Sequence, residues 1–177
     1  MYPVALLRLG DMMALRVRKS RARDLMAVDA LLAQSYPRLL RDYYLPSVLV
    51  TAIPLIARAR PGLVTSGTYF LCENETGTLL GCGGWTRRGP MGESMAETGH
   101  IRHFATHPDA VRRGVGTAIM EACLAQIAST DIIRIECAAT RAAVPFYRHF
   151  GFEPLEDADI VLRPGIAFPV ILMRYEM

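Results

Sequence analysis

Six residues, Arg112-Arg113-Gly114-Val115-Gly116-Thr117, have the types and spacing of a seat for an anion. Glycine lacks a Cβ, so the chain can turn tightly at 114 and 116 and a ligand can approach the backbone N–H groups closely. Val115, Ala118, Ile119, Ala122 and Ile127 then recur at three- and four-residue spacing, which predicts a helix from Gly114 to about Ala128. The unpaired N–H groups and positive dipole end of that helix face the loop. Phosphate is the natural ligand of such a site, and Arg112 and Arg113 add permanently charged, fork-shaped donors. Taken by itself, the hexapeptide reads as well as a glycine-containing connection with two solvated arginines. Two familiar phosphate loops do not fit. A Walker loop needs Gly-Lys-Ser/Thr, and the only lysine is Lys19; a dinucleotide fingerprint needs Gly or Ala where Ile119 stands.

The longer segment Phe104-Ala105-Thr106-His107-Pro108-Asp109-Ala110-Val111-Arg112-Arg113-Gly114-Val115-Gly116-Thr117 resembles the acyl-CoA loop of the GNAT superfamily of N-acyltransferases, Gln/Arg-x-x-Gly-x-Gly/Ala between a strand and a helix. Val111 stands where the family has Gln or Arg. A second stretch, Thr140-Arg141-Ala142-Ala143-Val144-Pro145-Phe146-Tyr147-Arg148-His149-Phe150-Gly151-Phe152, is similar to the family's Asn-x-x-Ala-x-x-x-Tyr-x-x-x-Gly-Phe. Ala143, Tyr147, Gly151 and Phe152 are in register, and Thr140 replaces Asn. The resemblance extends from about Ala14 to the C-terminus, with its specific motifs between Phe104 and Phe152.

The resemblance implies an acetyl-CoA-dependent N-acetyltransferase in which an amine attacks the thioester directly. It implies that the backbone of Phe104, Ala105 and Thr106 pairs with the pantetheine amides, and that Arg112, Arg113, Gly114, Val115, Gly116 and Thr117 hold the pyrophosphate. Thr140 and Ala143 belong to the same cofactor surface, and Tyr147 assists departure of the thiolate. An amine with a pKa of about 10.4 must lose a proton before it attacks. His100 is the first candidate base, because an imidazole titrates near neutrality and this one lies in the strand leading to the thioester. In a regular strand His103 would face the opposite way; Glu97 is the third choice. The acceptor is a small-molecule amine or a protein amine. The alternatives are an acyl-CoA-binding regulatory module without turnover and, more remotely, a nucleotide-dependent oxidoreductase.

Positioning these residues requires strands and helices in alternation. The expected fold is a single α/β domain, a mixed and largely antiparallel sheet of six or seven strands flanked by helices, over residues 14–177. A first strand spans Ala14 to Arg18, and Leu25, Val28, Leu31 and Leu32 mark a first helix. A second helix is expected from Pro46 to about Ala59, kinked or broken at Pro54. Thr68–Glu73 and Leu79–Arg87 flank Asn74-Glu75-Thr76-Gly77 as an antiparallel hairpin. Gly81, Gly83 and Gly84 in its second arm mark either a passing ligand or close packing. Thr98–Thr106, the loop, the helix and Ile132–Ala138 form a βαβ crossover with parallel strands. A helix at Ala142–Phe150 stops at Gly151, and two strands around Arg163-Pro164-Gly165 complete the sheet.

The chain has 177 residues, of which 51% are hydrophobic and 21% charged, as in an ordinary globular domain, and its net charge of +3 is too small to argue for nucleic acid or a membrane surface. Cys72, Cys82, Cys123 and Cys137 lack metal-ligand spacing and read as reduced core residues, so no metal is expected. The apolar opening Tyr2–Leu7 is too short to cross a membrane. A cytoplasmic protein is therefore expected, with residues 1–13 as an N-terminal extension; a homodimer is compatible with the resemblance.

Overall fold

The computed structural model describes residues 14–177; residues 1–13, expected to be an extension, lie outside the described residues. The chain runs β1 (Arg16–Lys19), α1 (Leu25–Leu40), α2 (Pro46–Ile56), α3 (Pro61–Val64), β2 (Tyr69–Glu73), β3 (Leu79–Thr86), β4 (Thr98–Thr106), α4 (Val115–Ile127), β5 (Arg134–Ala139), α5 (Val144–His149), β6 (Glu153–Arg163) and β7 (Ile166–Glu176). The strands form one seven-stranded sheet in the order β1-β2-β3-β4-β5-β7-β6. Every neighbouring pair is antiparallel except β4 and β5, which the α4 crossover makes parallel as expected. The second helix differs from expectation: α2 continues through Pro54 and ends at Ile56. Pro54 lies in its last turn, where a missing N–H removes one ladder bond rather than the helix.

The period-two alternation of β2 shows how the core divides. Phe70 and Cys72 pack with Val115, Ile119, Met120, Cys123 and Ile127 of α4, whereas Tyr69 and Leu71 pack with Val28, Leu31 and Leu32 of α1. Burial of an apolar side chain such as Ile119 or Met120 contributes about 1.5–3 kcal/mol. The glycines of β3 serve this packing. A Cβ on Gly81 would meet Val115 Cγ1 at 2.4 Å, and one on Gly83 would meet the Phe104 ring at 2.4 Å. Close packing, not a passing ligand, thus explains their small size. All four cysteines are free and buried.

Two departures from regular pairing shape the centre of the sheet. β4 pairs with β5 only from Thr98 to His100, and beyond that point β5 continues along β7 while β4 stays with β3, so the two parallel strands separate. Within β4, Cys82 and Gly84 of β3 oppose Ala105 and Arg102, which leaves both His103 and Phe104 opposite Gly83. This two-against-one count is a β-bulge, and His103 takes a left-handed φ of 57° to make it.

Candidate active site

A cavity of about 300 Å³ opens where β4 and β5 part. β4 contributes Ile101 to Phe104, β5 Ala138, and β7 Phe168 and Val170; Tyr36, Ile56 and Arg60 close it from the side of α1 and α2. Thr140, Ala143 and Tyr147, which precede or lie within α5, complete the wall, so three residues expected from sequence meet the Phe104 segment. Along the separated part of β4, the carbonyls of Phe104 and Thr106 accept from Tyr36 Oη (3.3 Å) and Ser35 Oγ (2.8 Å). Each carbonyl retains a second lone pair.

Tyr147 combines a packed ring with a place in the cavity wall. Its ring lies against Phe146 (centroids 5.2 Å apart), Phe152 (5.5 Å) and Phe104 (6.4 Å), and the residue is 6% exposed. Burial holds its phenol well above the ordinary pKa of 10.0.

The histidines fall differently from the regular-strand expectation. The bulge turns His103 toward α2, where its Nε2 lies 2.9 Å from the Ile56 carbonyl and its ring meets Tyr36 edge-on. A carbonyl only accepts, so Nε2 carries the proton and Nδ1 is the unprotonated nitrogen. Burial lowers the His103 pKa to about 4. His100 is 3% exposed and does not line the cavity; its buried Nε2 has no hydrogen-bond partner among the described residues, and burial lowers its pKa also. Glu97 is exposed, outside the cavity, and adopts a left-handed φ of 58°.

At the other end, the chain turns before α4 at Gly114, as expected, and not at Gly116, which lies inside the helix. Arg112 has φ 63° and Gly114, the N-cap, has φ 81°. By helix geometry the N–H groups of Val115, Gly116 and Thr117 have no acceptor within the helix. The Val115 side chain turns into the core, and Thr117 stays partly exposed. Gly116 is small for a reason the sequence did not reveal: a Cβ there would meet the Phe146 ring at 3.1 Å. Phe146 in turn touches Tyr147 and Phe104, which connects the loop to the cavity through aromatic packing.

Arg102 and Arg60 are cavity residues that motif reading passed over. Arg102 pairs opposite Gly84 in β4 and Arg60 immediately precedes α3, and the sequence has no signal that these segments meet. Among the described residues there is no cluster suited to a metal ion, and no helix is long and apolar enough to cross a membrane.

Comparison with known proteins gives a family match. The model for "Acetyltransferase (GNAT) domain" matches residues 65–154, half of the chain. Among curated proteins no sequence matches. The fold is similar to that of the PaiA N-acetyltransferase from Thermoplasma acidophilum, solved in complex with coenzyme A, with TM-score 0.71 and 14% identity over 93% of this chain and 100% of that one. It is also similar to a GCN5-related N-acetyltransferase from Rhodopseudomonas palustris, with TM-score 0.72 and 19% identity over 94% and 97%. N-acetylglutamate synthase from Neisseria gonorrhoeae, complexed with coenzyme A and N-acetyl-glutamate, aligns with TM-score 0.58 and 17% identity over 92% of this chain and 35% of that one. At these identities the likeness is one of fold.

Proposed function

The chain belongs to the GNAT acetyltransferase family, and from that premise we propose that it transfers the acetyl group of acetyl-CoA to a primary amine, with both substrates bound together. The observation that carries this reading is the parting of β4 from β5, which leaves one edge of Ile101–Thr106 free of β5 and ends at a cavity containing the Tyr147 side chain. An extended thioester arm laid along that edge takes backbone hydrogen bonds from Phe104, Ala105 and Thr106. Its pyrophosphate lies against the N-terminus of α4, where Arg112, Arg113 and the backbone of Gly114–Thr117 receive it. Thr140 and Ala143 form the opposite wall. Two of the similar structures were solved with coenzyme A, which supports a coenzyme A thioester as the donor.

In the reaction the neutral amine forms the new C–N bond at the thioester carbonyl and the C–S bond breaks. Tyr147 donates a hydrogen bond to sulfur as negative charge collects there. The amine must arrive deprotonated, and burial and neighbouring positive charge both favour its neutral form. His103, rather than His100, is the imidazole that a molecule in the cavity reaches. With a pKa near 4 it accepts a hydrogen bond at Nδ1 but holds a full proton poorly at neutral pH, so the proton leaves by way of water.

The test is a melting-temperature series with acetyl-CoA followed by amine-dependent release of free CoA. A ligand that binds only the native state adds about 2.7 kcal/mol at a hundredfold excess over its Kd, so a clear rise in Tm is expected. No rise at millimolar acetyl-CoA overturns the reading, and stabilisation without turnover of any amine makes the chain a binding module.

A further inference from the structure

The lining of the cavity carries charge of one sign. Arg60 and Arg102 reach it, no Asp or Glu does, and neither arginine has an ion pair among the described residues. We propose that the acceptor is a primary amine that also bears a carboxylate, an amino acid with an apolar side chain, and that Arg102 and Arg60 hold the carboxylate. This rests on the acetyltransferase reading above and adds the substrate class to it.

Arg102 is built to present one edge. Its Nη1 donates to Thr86 Oγ1 and to the Arg88 carbonyl, each at 3.0 Å, while Nε and Nη2 make no hydrogen bond to a described residue. The Nε–Nη2 edge is the fork that pairs side-on with the two oxygens of a carboxylate, and an anchored fork loses little freedom when it does so. Arg60 is fixed at its base, because its carbonyl accepts from Leu63 and Val64 N–H at the start of α3. Its charge presses the Arg102 pKa further down after burial has lowered it. Two guanidiniums acting on each other beside a cavity are unfavourable until an anion joins them.

The nearby groups do not supply that anion. Glu93 acts on Arg102 but lies outside the cavity wall, and its Oε2 already accepts from Met91 N–H at 2.8 Å. His103 is neutral and offsets nothing. A polyamine or a lysine in a basic peptide would bring positive charge against both arginines. The rest of the wall, including Ile56, Leu63, Phe168 and Val170, suits an apolar side chain. About 300 Å³ is at the small end of ligand cavities, the size for one small molecule.

Calorimetry on the protein saturated with CoA reads binding separately from turnover. The probes are leucine and phenylalanine, their amides, their decarboxylated amines, and spermidine. The amino acids are expected to bind at least about tenfold more tightly than the amide or amine of the same side chain, since a charge-assisted pair is removed. Arg102→Gln and Arg60→Gln should each abolish that preference, and Arg102→Lys should restore only part of it. Arg60 is exposed, so its variant keeps the test open if Arg102→Gln fails to fold. Equal binding of acid and amide, tighter binding of spermidine, no amino-acid binding, or a preference that survives in Arg60→Gln would overturn the proposal. An amino acid that binds with the predicted preference but is not acetylated when acetyl-CoA replaces CoA would sustain the carboxylate site and overturn the acetyltransferase reading.

Discussion

A phenol assists a leaving thiolate only by donating as the charge develops. A free phenol titrates near about 10 and a thiol near about 8.5, and burial raises the Tyr147 phenol further, so full proton transfer is uphill. Tyr147→Phe should therefore lower kcat about tenfold while leaving the acetyl-CoA Kd unchanged; steady-state kinetics beside calorimetry separate the two. Unchanged kcat with a lower Tm would make Tyr147 a packing residue among Phe104, Phe146 and Phe152. Since His103 stays neutral down to about pH 4, the pH profile should rise with deprotonation of the acceptor amine and show no imidazole step between pH 6 and 7. Such a step, removed by His100→Gln, would return the base to His100.

At the scale of elements, the decisive feature is the start of α4. Gly114 adopts φ 81°, and a Cβ there would meet only Leu15 Cδ1 at 3.9 Å, an ordinary contact, so Gly114→Ala is costly through its backbone, by about 1 kcal/mol in urea denaturation. Gly116→Val would set a branched side chain against its neighbours in the fold as well as where a ligand approaches the backbone. Its Cβ would press on Phe146 and, through that ring, on Phe104 and Tyr147. Gly116→Val should lower Tm and acetyl-CoA affinity together, and a loss of affinity at unchanged Tm would mean that blocking of the ligand alone accounts for it. Arg113→Ala should weaken acetyl-CoA binding more at low salt than at high salt, because counterions already screen that charge in concentrated salt. A loss independent of salt would remove Arg113 from the phosphate seat.

The whole molecule carries an acid-sensitive pair of buried imidazoles. Burial lowers the pKa of both His100 and His103, so below about pH 6.5 the unfolded chain binds protons that the folded chain refuses, and stability falls as pH falls. For His103, a shift from 6.5 to about 4 amounts to about 2 kcal/mol by pH 5. Urea midpoints should decline between pH 7 and 5, and His103→Gln should flatten that decline. An unchanged slope would mean that His103 is protonated without penalty. The Arg18 pair with Asp24 lies outside this window, because it holds the carboxylate below its ordinary 3.8.

The elements were legible in the chain because their signals are local. Strand Thr98–Thr106, the Gly114 turn, the α4 periodicity and the Gly151 stop each follow from side-chain spacing or from what glycine permits, and the two motifs carried the family. Facing and convergence were not legible. A regular strand sets His103 opposite His100, but pairing with β3 leaves two residues of β4 against Gly83, and the alternation breaks there. Likewise Gly81 and Gly83 alone do not distinguish a ligand's path from tight packing; Val115 and Phe104 decide it. Arg60 and Arg102 are 42 positions apart, and only the packing of the α2–α3 connection against β4 brings them to one cavity. Such features depend on register and on contacts between distant segments, which backbone hydrogen bonds settle only when the sheet is assembled.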